Sequence, residues 1–124
     1  MLKLLNLYKK FFIIGVTGAV LHYLIAHSLY SMFFLNQILS NTSGFVIAVI
    51  YSYYLNTSYT FNVKKTYING IKYTIVVSLG LIISNSVILY VDLISDSFNL
   101  ALFIAIVIGS TFNFIGHNYF SFKR

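Results

Sequence analysis

Lysine and arginine are confined to three short stretches of this chain: Lys3, Lys9 and Lys10, then Lys64, Lys65 and Lys72, then Lys123 and Arg124. Between the first two stretches, and again between the last two, lie about 50 residues without a cation. Each block is long enough to cross a bilayer and return. The turn inside the first block carries no positive charge, and the turn inside the second holds the only two acids, Asp92 and Asp96. Positive residues stay on the cytoplasmic side of membrane proteins. The pattern therefore predicts four transmembrane helices, with both termini and the loop at 62–71 in the cytoplasm and the turns near 35–39 and 92–99 outside.

Composition leaves little alternative. The chain has 124 residues, 59% hydrophobic and 8% charged, with no proline, whereas a soluble domain carries roughly a quarter of its residues charged. Four apolar runs, at about 11–34, 40–59, 73–90 and 100–120, each approach the roughly 20 residues that span a hydrocarbon core. The first is longer than a signal-peptide core and is expected to be retained. The net charge of +6 is topogenic charge, drawn to the anionic leaflet, and points to membrane lipids, not nucleic acid. Tyr8, Tyr59, Tyr67, Tyr73, Tyr90 and Tyr119 fall near span ends, where an interfacial belt places them.

The two halves resemble each other. Lys10-Phe11 matches Lys72-Tyr73 at an offset of 62, which also lays Gly18 on Gly80 and His22 on Ser84. At an offset of 61, residues 52–61 lie over 113–122. The expected architecture is an all-α membrane protein of two parallel helical-hairpin repeats, about 10–61 and 72–122, in one domain covering 1–124. Small residues recur every fourth position at Gly44, Ala48 and Ser52 and at Ala105 and Gly109, and such stripes let helix backbones approach closely. The matched stripes predict the second and fourth spans side by side.

Polar residues inside spans mark the candidate site, because they are costly in lipid and face an interior or a watery cavity. They are His22, His27, Asn41, Asn56, Asn85, Asn113, His117 and Asn118. Each alone can be an interhelical hydrogen bond worth about 1 kcal/mol, and Asn41 lies at a span end. The absences exclude several functions. With no cysteine and three scattered histidines, a metal site lacks ligands. No glutamate exists, and both aspartates lie at the outer turn, so a proton-coupled carboxylate mechanism has no carboxylate in the membrane. There is no phosphate-binding loop for ATP and no Ser-His-acid grouping. The chain is read as a non-enzyme without catalytic residues or cofactor.

The duplicated exits carry a resemblance. Lys10-Phe11-Phe12-Ile13-Ile14-Gly15 opens the first span, and residues 44–56 form the second. The exits Asn56-Thr57-Ser58-Tyr59-Thr60-Phe61 and His117-Asn118-Tyr119-Phe120-Ser121-Phe122 follow. Together these resemble the GtrA-like family of small four-span bacterial membrane proteins of cell-surface polysaccharide synthesis, which includes teichoic-acid glycosylation proteins. The family's exit reads Asn-Arg-x-Trp-Thr/Val-Phe. Here Thr57 and Asn118 replace its arginine, Tyr59 and Phe120 its tryptophan, and His117 the second asparagine. Gly18 and His22 stand where many relatives have Asn and Asp.

The resemblance implies flipping of a polyprenyl-phosphate-linked sugar from the inner to the outer leaflet of the bacterial cytoplasmic membrane, between a synthase inside and a glycosyltransferase outside. Under that reading Lys10 and Lys72 suit the lipid phosphate. His22, Asn56, Asn85, Asn113, His117 and Asn118 suit the sugar, whose hydroxyls each cost several kcal/mol if left unsatisfied in hydrocarbon. Two other readings stay open: a non-transporting partner that recruits or stabilises a membrane glycosyltransferase, and a small-solute or ion channel. Self-association is open as well. Convergence of the polar residues inside one protomer favours transport, and an outward-facing set favours the partner reading.

Overall fold

The computed structural model describes residues 1–60 and 66–121, with the side chains of Leu4 and Thr60 left aside. Phe61, Lys64, Lys65, Phe122, Lys123 and Arg124, on which parts of the charge and exit patterns rest, lie outside the described residues. Four α-helices follow one another: α1 (Leu2–Ser31), α2 (Gln37–Leu55), α3 (Tyr67–Ile94) and α4 (Phe98–Gly116). The described residues contain no strand. All four helices are long and apolar enough to cross a membrane, where backbone groups must be satisfied within the segment itself. This is an all-helical, multi-pass membrane protein.

Side-chain caps set three of the four starts. Asn36, Thr66 and Ser97 each accept a hydrogen bond from the backbone N–H three residues on, which satisfies one of the orphan donors of a helix start. With no proline to stop them, α1 begins well before residue 11 and α3 runs beyond 90 to Ile94. Both α2 and α4 end differently, in a π-helical turn: Asn56–Thr60 after α2 and His117–Ser121 after α4. The N–H of Asn56 is shared between the carbonyls of Ser52 and Tyr53, and that of His117 between Asn113 and Phe114. The two turns start at positions that the offset of 61 relates.

The closest packing lies within each hairpin, α1 on α2 and α3 on α4, while α1 lies beside α4 and α2 beside α3. The helices thus run round the bundle in chain order, and α2 and α4 face each other diagonally. This corrects the expected α2–α4 seam, because the small stripes serve the hairpins instead. A Cβ on Gly44 would lie 2.6 Å from the His22 carbonyl oxygen of α1, and one on Gly18 would lie 2.9 Å from Ser52 Oγ of α2. In the second hairpin, Gly80 abuts the Asn113 carboxamide and a Cβ on Gly116 would lie 2.6 Å from Val76. Gly18 with Ser52 and Gly80 with Asn113 occupy offset-related positions and make the same kind of approach.

Gly44→Leu should therefore lower stability by about 3 kcal/mol, the upper range for forcing bulk into a packed interior. Gly15→Ala should be neutral or slightly stabilising, because nothing lies within 4 Å of its added carbon and alanine is the better helix former. Unfolding of purified protein in detergent distinguishes them. Equal stability of the two variants contradicts the close α1–α2 approach.

Apolar packing is uneven along the bundle. The main core lies toward the end that carries Asp92 and Asp96, where Ala26, Ile88, Val91, Phe98, Ala101, Leu102, Ala105 and Ile106 pack together. At the basic end the buried cluster is only Phe11 and Tyr73 with partly buried neighbours. Between the two clusters the interior mixes polar side chains with small and apolar ones such as Ala48, Phe45 and Gly109.

Candidate functional site

A cavity of about 80 Å3 lies in that interval, room for a few waters but not for a hexose ring with its hydroxyls. All of its lining comes from one protomer. His22 and Phe45 close it toward the acidic end, Asn56, Tyr73 and His117 toward the basic end, and Ser52, Ser110 and Asn113 line its middle. Asn56 and His117 are each 3% exposed. They are brought there by the π-helical turns, and π-bulges recur at functional sites because they re-aim side chains.

Two atoms in this cavity stand out. The carboxamide oxygens of Asn56 and Asn113 are buried and accept no hydrogen bond among the described residues. Such an atom costs about 1–3 kcal/mol, and native interiors hold few of them. Both belong to cavity-lining residues, although the oxygens themselves are covered in this form, that of Asn113 by Gly80; a turn of either side chain would present an acceptor to a donor-rich guest. The cavity's aromatic wall is packed on itself: the Tyr73 and His117 rings stack at 4.1 Å with an interplanar angle of 6°.

Lys10 and Lys72 stand at the basic end, each over an aromatic ring of a π-helical turn. The Lys10 ammonium lies 4.4 Å from the Tyr59 ring centre and the Lys72 ammonium 5.5 Å from that of Phe120. These two pairs are again offset-related. Cation–π contact at an exposed site is worth about 0.5–1 kcal/mol, enough to position a lysine without withdrawing its charge from a headgroup phosphate.

The chain belongs to the GtrA/DPMS transmembrane domain family. The family match covers residues 10–122, both hairpins and both exits. Among similar proteins, a bactoprenol-linked glucose translocase of Salmonella phage P22 is 39% identical over 71 residues, 56% of this chain and 58% of that protein. A prophage bactoprenol-linked glucose translocase homolog of Escherichia coli strain K12 is 33% identical over 63 residues, 51% of this chain and 52% of its own length. A bactoprenol-linked glucose translocase of Shigella phage SfX is 32% identical over the same number of residues, with the same shares. The chain thus matches between half and three fifths of the length of these relatives. No solved structure matches it.

Within this GtrA/DPMS domain the polar residues divide into two groups. Asn56, Asn113, His117 and His22 converge on the cavity. Asn85 does not: it donates to Thr42 Oγ1 at 3.1 Å and accepts from Asn41 Nδ2 at 2.8 Å. Asn41 also donates to Ser84 Oγ at 3.1 Å, and its oxygen accepts from His22 Nε2 at 2.9 Å. This network ties α1, α2 and α3 together above the cavity. Asn118 is half-buried and outside the cavity lining. His27 pairs with Asn99 at 2.9 Å on the exposed surface.

Sequence reasoning missed Asn41 as the hub of the network, and it missed Tyr73, Phe11 and Phe114 as cavity walls. The offsets held the signal for the walls. Phe11 meets Phe114 edge-on at 4.7 Å, and the related pair Tyr73 and Tyr53 meets edge-on at the same distance.

Proposed function

We propose that this protein carries a polyprenyl-phosphate-linked monosaccharide across the bacterial cytoplasmic membrane, from the inner to the outer leaflet. The observation that carries the reading is the pair of unpartnered buried carboxamide oxygens on Asn56 and Asn113, two residues that line one cavity inside a single protomer. Sugar hydroxyls are donors that lose their water bonds in hydrocarbon, and such acceptors replace those bonds. The stacked Tyr73 and His117 rings form the aromatic wall against which the apolar side of a pyranose would pack. Lys10 and Lys72 hold the phosphate at the headgroup level, where long cations snorkel. The names of the relatives suggest glucose as the sugar. A separate synthase would load the lipid inside, and a separate glycosyltransferase would use it outside on a teichoic acid or another surface polysaccharide.

Asn85 and Asn118 play no direct part in holding the sugar in this reading. Asn85 braces α2 against α3, and the two hairpins act as pseudo-equivalent halves around the cavity. The inward convergence of Asn56, Asn113 and His117 weighs against a mere recruiting partner, for which these side chains would face outward.

Direction requires the basic end to face the cytoplasm, as the segregation of Lys and Arg implies. The chain has no cysteine, so Asn36→Cys, Thr66→Cys and Ser95→Cys variants can be labelled without background. In intact cells a membrane-impermeant thiol reagent should modify the first and third and spare the second. Labelling at position 66 alone reverses the orientation. The function itself is tested in cells that lack the protein: surface sugar decoration should be lost and should return on expression of this chain. Full decoration in its absence contradicts the reading.

A further inference from the structure

The two seams that join the hairpins are built from offset-related residues, yet they are held differently. Between α2 and α3, polar bonds run nearly the whole height. Gln37 donates to Asp92 at 3.1 Å, Asn41 bonds Ser84 and Asn85, Asn85 bonds Thr42, and the Tyr73 hydroxyl donates to the Val49 carbonyl at 3.3 Å. Between α1 and α4 the related positions of Asn41, Thr42 and Tyr73 hold Leu102, Phe103 and Phe11, none of which has a polar side-chain group. Among the described residues, the hydrogen bonds joining these two helices come from Asn99 at the acidic end, to His27 at 2.9 Å and Tyr23 at 3.5 Å. The rest of the α1–α4 seam is ring contact and small residues.

Outside that seam lies an apolar groove of about 750 Å3, and it shares Phe11, Gly15, Ala19, Ile106, Ser110 and Phe114 with the wall of the polar cavity. Lys9 lines its basic end. The wall is thin: a Cβ on Gly15 meets nothing within 4 Å, and Ser110 is exposed. An apolar channel with a cation at one end, separated by two rings, Ile106 and small residues from a cavity that holds Asn, Ser and His side chains, matches the three chemistries of a lipid-linked sugar in their covalent order.

Resting on the transport reading above, we propose that the α1–α4 seam is a lateral gate. The isoprenoid chain lies in the outer groove, its phosphate met first by Lys9 at the basic end and passed to Lys10 and Lys72 as the sugar moves between Phe11 and Phe114 into the cavity. The α2–α3 seam is the fixed side about which the hairpins part. Opening at α1–α4 separates mainly dispersion contacts, and among the described residues the hydrogen bonds it breaks are the exposed ones to Asn99. The tail never leaves lipid, which avoids the large cost of dragging it through a polar interior. The small cavity is then the closed form, and parting of α1 from α4 makes room for the hexose.

Two measurements test this. Val16 and Val107 both line the groove, so a Val16→Cys/Val107→Cys protein treated with a short, cleavable bifunctional thiol reagent has its gate strapped. A Gln37→Cys/Asp92→Cys protein carries the same strap across α2–α3. In vesicles, leaflet exchange of a short-chain polyprenyl-phosphate glucose should fall at least tenfold with the first strap and recover on cleavage, and should stay within twofold with the second. Unchanged exchange with the first strap, or equal loss with both, overturns the gate.

The second measurement does not depend on transport. A photoreactive polyprenyl phosphate should label the α1–α4 groove of the unmodified protein, and unlabelled polyprenyl phosphate should compete where an equal amount of phosphatidylglycerol does not. Labelling spread evenly round the bundle, or competed equally by both lipids, overturns the groove assignment. Groove labelling with no exchange in any unstrapped protein sinks the transport reading and leaves the isoprenoid site standing.

Discussion

Leucine in place of Asn113 is expected to leave the protein in the membrane at normal levels and to cut delivery of sugar to the outer surface by roughly ten- to a hundredfold. The carboxamide oxygen has no partner among the described residues, so removing it breaks nothing in the resting fold. Leucine keeps the branching and the number of heavy side-chain atoms of asparagine, and its bulkier methyls are the one added demand on the tight fit beside Gly80. What is lost is one acceptor for a hydroxyl in a dry site, about 1–3 kcal/mol, and each 1.4 kcal/mol is a factor of ten. Asn56→Leu should act in the same way at the other π-helical turn, and the double variant should fall below detection. Surface decoration at matched protein levels reads the effect. Full decoration in both single variants removes these oxygens from the path of the sugar.

Asn41→Leu is expected to act on stability instead, lowering it by about 2–4 kcal/mol. Asn41 is fully buried and bonds His22, Ser84 and Asn85. Side-chain hydrogen bonds between membrane helices average about 0.6 kcal/mol and reach about 1.7, so three of them, with three partners left behind, give this range. Thr42→Val removes a single bond to Asn85 and should cost less than 1 kcal/mol or thereabouts on the same scale. Steric shape is not the issue, because leucine already occupies the offset-related position, Leu102, in the core. Graded unfolding in mixed detergent micelles should rank the variants in that order. If Asn41→Leu is as stable as the parent, the network does not hold α2 to α3, and the fixed side of the proposed gate goes with it.

The four spans were legible because lipid leaves a chain so few options: apolar runs of sufficient length must be helices, and cations mark their ends. The polar residues at the exits were legible for a related reason, since Asn56, Asn113 and His117 are too costly in a span to be accidental. The neighbours of each stripe were not legible. Glycines at 44 and 80 announce that some backbone comes close, but not which one, and the structure gives each to its own hairpin partner. Asn85 was placed by depth alone, and depth does not tell which way a helix face points. Asn41 looked ordinary at a span end, and its three partners come from two other helices, His22 from α1 and Ser84 and Asn85 from α3. The π-helical turns depend on a hydrogen-bond register that residue types do not specify. The asymmetry of the two seams was hidden by the very likeness of the halves, because it rests on a few positions where one copy is polar and the other is not.

The central claim is that a cavity within one protomer carries a lipid-linked sugar between leaflets, and reconstitution tests it most directly. Purified protein is placed in unilamellar vesicles containing a polyprenyl-phosphate glucose, and a membrane-impermeant oxidant then consumes whatever glucose faces outward. With the parent protein the consumed fraction should climb from the share of one leaflet to nearly the whole pool, and with Asn56→Leu/Asn113→Leu it should stop at one leaflet. A consumed fraction that stays at one leaflet with the parent protein contradicts the account.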